Sequence, residues 1–130
     1  MKYNYPLFKV HVDVKQAMSN LKSVLESGFL NEGEQVTKFA EAMQSYLQHE
    51  NAIPLNSCTS SIALALRLSG VKDGDEVIAP SMTCVASLTP IHEVGGKIVW
   101  SDINYATGNI DVEDVKKKIT KKTKDVLCVN

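Results

Sequence analysis

The sequence predicts an α/β protein, a mostly parallel sheet with helices on both faces, making three layers. Two observations predict it. From residue 52 onward, short apolar runs alternate with helical stretches of ten or so residues, the pattern of βαβ units. Aromatic residues are only 6% of the chain while hydrophobic residues are 44%. The core must therefore be built from Val, Ile, Leu and Ala, as buried parallel sheets are. The crossovers between such strands should be right-handed.

The elements follow in order. Asp13 is a suitable N-cap for a helix whose apolar positions are Val14, Ala17, Met18, Leu21, Val24 and Leu25, and Gly28 sits where a glycine stops such a helix. A second helix follows Gly33, with Val36, Phe39, Ala40, Met43, Tyr46 and Leu47 on one stripe. Residues 1–51 thus read as an N-terminal helical segment, and 52–130 as an incomplete α/β domain. Ala52 to Leu55 is a short strand that runs into the polar stretch Asn56-Ser57-Cys58-Thr59-Ser60-Ser61, which opens an apolar helix, Ile62 to Leu68, closed by Gly70. After the turn at Asp73-Gly74-Asp75, Glu76-Val77-Ile78-Ala79 is a strand stopped by Pro80. A helix spans Cys84 to Val94, kinked or restarted at Pro90. Gly95-Gly96 ends it, and Lys97-Ile98-Val99-Trp100 is the next strand, delivering Asp102. Thr107-Gly108-Asn109 is a turn. Asp111 caps a helix with Val112, Val115 and Ile119 facing inward, and Asp125 to Val129 forms a last strand. No closing helix follows that strand, as expected for the front part of a longer protein.

Composition removes several function classes. Lys and Arg total 14 against 15 Asp and Glu, a net charge of -1, which does not suit a coat for nucleic acid or an anionic membrane. The opening residues, Met1 to Val10, carry Lys2 and Lys9 but no apolar signal core, and no run approaches a membrane span. A reducing cytoplasm is the expected compartment. Cys58, Cys84 and Cys128 are widely spaced and form no CxxC, so neither a disulfide framework nor a zinc ribbon is supported. Cys58 and Cys84 are expected as buried small hydrophobes. His11, His49 and His92 are scattered, and no metal site is expected. Lys116, Lys117, Lys118, Lys121, Lys122 and Lys124 read as a solvated face near a helix C-terminus, where their charge suits the dipole. Nucleic-acid binding is the weaker alternative, since no aromatic residues interleave with them.

Ligands of open α/β sheets gather at the carboxyl ends of the strands. Segments 56–61, 80–84 and 102–109 occupy that rim. In the first, free backbone N–H groups and the hydroxyls of Thr59 and Ser60 meet a positive helix terminus, an arrangement suited to a phosphate. An N-cap at Ser57 or Thr59 would look the same. Pro80-Ser81-Met82-Thr83-Cys84 is either a cofactor face or a plain βα turn. Asp102 either binds a ligand or caps the turn that follows it. Neither GxxxxGK[ST] nor GxGxxG occurs.

Six segments, in order, carry a resemblance. They are Ser27-Gly28-Phe29-Leu30 through Gly33; Asn56-Ser57-Cys58-Thr59-Ser60-Ser61; Gly74-Asp75-Glu76-Val77-Ile78-Ala79-Pro80; Met82-Thr83; Gly95-Gly96-Lys97 with Asp102; and Asn109-Ile110-Asp111. From about residue 14 onward the chain resembles the N-terminal part of the DegT/DnrJ/EryC1/StrS sugar aminotransferases, fold-type I enzymes dependent on pyridoxal 5'-phosphate (PLP).

The resemblance implies the front part of a large domain that binds PLP. It implies transfer of an amino group, with glutamate as donor, to a nucleotide-linked keto-sugar, in the biosynthesis of cell-surface polysaccharides or secondary-metabolite sugars. Thr59 and Ser60 would hold the cofactor phosphate and Cys84 would line the ring face, a position that is often aromatic in the family. Gly28, Phe29 and Leu30 would lie near the nucleotide-sugar site, and a homodimer is implied. The family's Schiff-base lysine falls beyond the position of Asn130, so no catalytic residue is assigned here, and the 130-residue piece alone is expected to be inactive. The alternative is a naturally short, non-catalytic binding or assembly module of the same fold.

Overall fold

The structure, a computed structural model, describes residues 9–129. Most of the opening segment, with Lys2, and Asn130 lie outside the described residues. The chain forms two compact units that divide after Pro54.

The first unit is helical. Helix α1 spans Val14–Ser27; the Asp13 carboxylate accepts from Gln16 N at 3.0 Å, and Gly28, at φ 74°, donates back to Leu25 O. Helix α2 spans Glu34–Leu47, and Lys38 and Glu34 pair at 2.6 Å one turn apart. Both ranges agree with the caps and stripes that predict them. Neither helix has a buried residue, and Met18, Leu21, Leu25 and Phe39 are about half exposed or more. The strand expected at 52–55 does not form. Pro54 lacks an N–H for a ladder, no described segment pairs with this stretch, and Ala52 O instead accepts from the Gln44 side chain at 3.2 Å.

The second unit holds helix α3 (Cys58–Leu68), strand β1 (Glu76–Pro80), helix α4 (Val85–Glu93), strand β2 (Lys97–Ser101), helix α5 (Val112–Lys118) and strand β3 (Thr123–Val126). The sheet is parallel throughout, in the order β2-β1-β3. The β1-to-β2 crossover moves one way across the sheet, and the β2-to-β3 crossover returns past β1. With both right-handed, α4 and α5 cover opposite faces. Alternation along β1 shows in the packing. Val77 and Ala79 join Leu66, Val71 and Ile91 in the core, whereas the equally buried Ile78 lies outside that cluster, on the other face.

Helix α3 is longer than its apolar run: the polar residues Cys58–Ser61 are its first turn. Pro90 lies within α4, where its carbonyl still accepts from Val94 N at 3.2 Å. Strand β3 is displaced from the expected 125–129 to 123–126, and Pro80 accounts for its end. Leu127 N still donates to Ile78 O at 2.8 Å. The next rung of that parallel ladder needs an N–H from residue 80, which proline does not have. Val112 and Ile119, expected inward, are 61% and 56% exposed. Val112 stands at the first position of a seven-residue helix, and Ile119 has already turned extended (φ -64°, ψ 125°), so only Val115 keeps the inward stripe.

The turn into β2 requires both of its glycines. Gly95 adopts φ 85°, and a Cβ there would lie 3.0 Å from Asp73 Cα. A Cβ on buried Gly96 would lie 3.1 Å from Ile91 O and Cγ2 and 3.2 Å from Val71 Cγ1. This close approach lets Gly96 N bond Ile91 O at 2.8 Å and Lys97 N bond Asp75 O at 2.7 Å. Gly96→Ala should destabilise the α/β unit by about 1–3 kcal/mol, the usual range for overpacking a filled core. Urea unfolding of that variant beside the exposed control Lys97→Ala will measure the difference.

Candidate functional site

Helix α3 leads through the turn at 73–75 into β1, so it runs antiparallel to that strand and its N-terminus stands at the strand's carboxyl end. Helix α4 starts at that same end, directly after β1. The fold therefore collects 56–61, 80–84 and 102–109 on one rim of the sheet.

At the α3 terminus the cap is Ser57. Its backbone is extended (φ -159°, ψ 155°), and its Oγ accepts from Ser60 N at 3.1 Å while its hydroxyl donates to Ser60 Oγ at 2.9 Å. Ser61 Oγ donates to Ser57 O at 3.0 Å. Because Ser57 takes the capping role, Thr59 is released from it. The Thr59 hydroxyl and the N–H groups of Cys58 and Thr59 have no partner among the described residues. Thr59 and Ser60 are half-buried and line a cavity of about 360 Å³ with Ser57, Arg67 and Glu93.

The second rim segment is anchored by Ser81 N, which donates to Ser101 O at 3.0 Å. Cys84 is the N-cap residue of α4 and makes no side-chain cap bond. Cys58, Cys84 and Cys128 are all exposed, which corrects the expectation of buried thiols. Cys58 and Cys84 occupy helix starts that open on the rim instead of facing the core. Thr83 Oγ1 is buried and has no hydrogen-bond partner among the described residues. A buried hydroxyl left without a partner costs about 1–3 kcal/mol.

The third segment departs from the simple picture of a capping aspartate. Asn104 caps the 104–108 turn: its Oδ1 accepts from Ala106 N at 3.0 Å and Thr107 N at 3.2 Å. The Asp102 backbone is held on both sides, with its N–H donating to Asp114 Oδ2 at 2.8 Å and its carbonyl accepting from Asp111 N at 2.8 Å. Its carboxylate has no partner among the described residues and is exposed. Asp114 Oδ2 also accepts from buried Ser101 Oγ at 3.2 Å and pairs with Lys118 Nζ at 2.7 Å, and the same Nζ donates to Trp100 O at 2.6 Å. The lysine bond, then that from the Asp102 N–H, hold the Asp114 carboxyl down at a pKa of about 2.

Gly28, Phe29 and Leu30 belong to the helical unit, in the turn between α1 and α2. Phe29 and Leu30 are 71% and 65% exposed, and together with Ser27, Asn31 and Val36 they line a groove of about 400 Å³. Among the described residues no cluster of His, Cys, Asp and Glu could hold a metal ion, and no helix is long and apolar enough to cross a membrane. Sequence reasoning missed two features of the rim. Thr83 is in a quoted motif, but its burial is a tertiary fact. The Asp114–Lys118 pair has the i,i+4 spacing of a surface pair, and only the fold shows that it reaches back to β2.

A phosphate would meet a chemically suitable donor set at α3: N–H and O–H groups, neutral, half-buried, at the positive end of an 11-residue helix. The residues present therefore fit the phosphate of PLP. Because the folded-state pKa of Asp114 lies below its ordinary 3.8, its stabilising contribution is complete above about pH 4 and disappears as pH falls towards 2. Asp114→Asn should lower stability at neutral pH and flatten the loss of stability between pH 4 and 2, as acid titration followed by circular dichroism will show.

Comparison with known proteins identifies the family. The DegT/DnrJ/EryC1/StrS aminotransferase family matches residues 12–130. The spore coat polysaccharide biosynthesis protein SpsC of Bacillus subtilis is 32% identical over 130 residues, which is 100% of this chain and 32% of that protein. GDP-perosamine synthase of Vibrio cholerae is 34% identical over 85% of this chain and 30% of its own length. The chain thus spans about a third of the curated relatives it matches. Among solved structures, the PLP form of the putative sugar aminotransferase Spr1654 from Streptococcus pneumoniae superposes with a TM-score of 0.88 at 32% identity, covering 95% of this chain and 31% of that one. The GDP-4-keto-6-deoxymannose-3-dehydratase with a trapped PLP-glutamate geminal diamine gives 0.86 at 28% identity, covering 98% and 34%. The expected fold-type I architecture is thus the one observed, and the chain belongs to the DegT/DnrJ/EryC1/StrS aminotransferase family.

Proposed function

We propose that this chain is the front third of a cytoplasmic, homodimeric, PLP-dependent aminotransferase that passes an amino group from glutamate to a nucleotide-linked keto-sugar. The observation that carries this reading is the released donor set of α3 on the carboxyl rim, in a chain whose relatives include a GDP-perosamine synthase and PLP-bound sugar aminotransferases. The substrate type and donor follow the relatives: one structural neighbour holds a PLP-glutamate adduct and acts on a GDP-linked keto-sugar. That neighbour is a dehydratase, which makes dehydration of a keto-sugar the second reading.

The chain's own residues have distinct tasks in this reading. Ser57 holds the first turn of α3 open, so that the N–H groups of Cys58 and Thr59 and the hydroxyls of Thr59 and Ser60 can grip a phosphate. Cys84 lines the ring face, contributing a small polarisable group in place of a broad aromatic one. The turn at Gly28, Phe29 and Leu30 offers apolar surface to the nucleotide sugar. PLP, when bound, supplies the electron sink for amino-group exchange. The lysine that would hold it covalently belongs beyond Asn130, so residues 1–130 alone bind weakly and do not transaminate.

Extending the coding sequence past Asn130 tests the reading. An acidic residue at a strand end followed by a lysine in a Ser- and Thr-rich loop supports it, whereas an immediate stop codon transfers the chain to the class of non-catalytic binding modules. An amino-sugar product distinguishes transamination from dehydration, which yields a deoxy sugar. With the chain itself, PLP should bind reversibly, and Thr59→Ala should weaken it about tenfold, as loss of one charge-assisted hydrogen bond does. Fluorescence titration against inorganic phosphate as competitor will measure that change.

A further inference from the structure

We propose that Asp102 is a substrate-recognition residue, whose carboxylate accepts a hydrogen bond from an amino or hydroxyl group of a substrate bound on the carboxyl rim. This inference rests on the aminotransferase reading and goes beyond it, since it names the group on this chain that meets the substrate's donors.

Four observations lead to it. Parallel pairing sets Pro80 beside Ser101, and Ser81 N donates to Ser101 O, so Asp102 leaves β2 next to the start of the 81–84 segment. Its main chain is immobilised from two directions, by Asp114 and by Asp111. The nearby acidic residues are otherwise committed: the Asp111 carboxylate accepts from Asp114 N at 3.0 Å, Glu113 pairs with Lys116 at 2.7 Å, and Asp114 pairs with Lys118. The turn that Asp102 could have capped is capped by Asn104 instead. A carboxylate thus stands free on a fixed backbone, which is how a recognition group is preorganised.

Charge completes the argument. The starts of α3 and α4 both present N–H groups and positive helix ends to the rim, which suit the anionic part of a ligand. Asp102 supplies the opposite polarity on that rim, suited to the part that carries N–H or O–H donors. A carboxylate is acceptor-only, so it discriminates in favour of such donors and against carbonyl or phosphate oxygens.

The experiment uses the full-length protein, with glutamate and GDP-4-keto-6-deoxymannose as probes. Asp102→Ala should raise KM for one of the two substrates at least tenfold while changing kcat less than threefold and leaving PLP affinity unchanged. Asp102→Asn, which keeps an acceptor oxygen and the side chain's shape, should fall between that variant and wild type and guards against misfolding of the alanine variant. Both KM values within twofold of wild type in both variants overturn the inference. A fall in PLP affinity with unchanged KM overturns it too, since Asp102 would then act on the cofactor. A wild-type protein that neither binds PLP nor turns over is a different failure: it overturns the aminotransferase reading, and Asp102's role with it.

Discussion

Val77, Ile78 and Ala79 are fully buried between two parallel neighbours, and the position of every other feature of the α/β unit follows from that burial. Each fully buried Val or Ile contributes about 1.5–3 kcal/mol relative to exposure. A strand covered on both faces and both edges has one place to lie. Because the sheet is parallel, every crossover must return along a helix, and every strand delivers its next loop to the same rim. Chemistry concentrates at that rim because chain direction puts the loops and helix starts there, before any side chain is chosen.

Helix capping and ligand binding are compatible at α3 because different residues do the two jobs. Ser57 takes the capping bond and leaves Thr59, two residues later, with its hydroxyl and N–H unpartnered among the described residues. Had Thr59 been the cap, its oxygen would face the helix and the terminus would be closed to an anion. Pro80 does comparable service at the strand. It withholds a rung from the β1–β3 ladder, so β3 ends early, while Ser81 still bonds β2 and anchors the segment that leads to Thr83 and Cys84.

Much of this was legible in the sequence because local chemistry decided it. Asp13, Gly28, Gly33, Asp111 and the Gly95-Gly96 pair mark element ends through backbone conformation or capping, and those depend on few neighbours. The errors share another cause. Ala52–Leu55 has the composition of a strand but no paired neighbour, Ile119 has the spacing of a core residue but leaves the helix, and Cys84 is apolar in character but sits at an open helix start. In each case tertiary position overrode local preference. The donor-rich α3 terminus was readable as phosphate-binding geometry. The released state of Thr59, the orphaned Thr83 hydroxyl and the reach of Lys118 back to Trp100 depend on three-dimensional packing, which spacing does not encode.

The two units use their apolar residues differently, and the contrast follows from how helices gain stability. Isolated helices of about 14 residues are marginal in water, because nucleation is unfavourable and caps return only a little of it. In the α/β unit, α3 and α4 offset that cost through Leu66 and Ile91, both buried against β1. In the helical unit, α1 carries an amphipathic stripe of Val14, Met18, Leu21 and Leu25, all about half exposed or more. Its caps, Asp13 and Gly28, set where the helix begins and ends. In the α/β unit, Asp114 and Lys118 fasten the end of β2 through Ser101, the Asp102 N–H and the Trp100 carbonyl. That is where a recognition group such as Asp102 has to be held still, and where a small loss of geometry would cost the most.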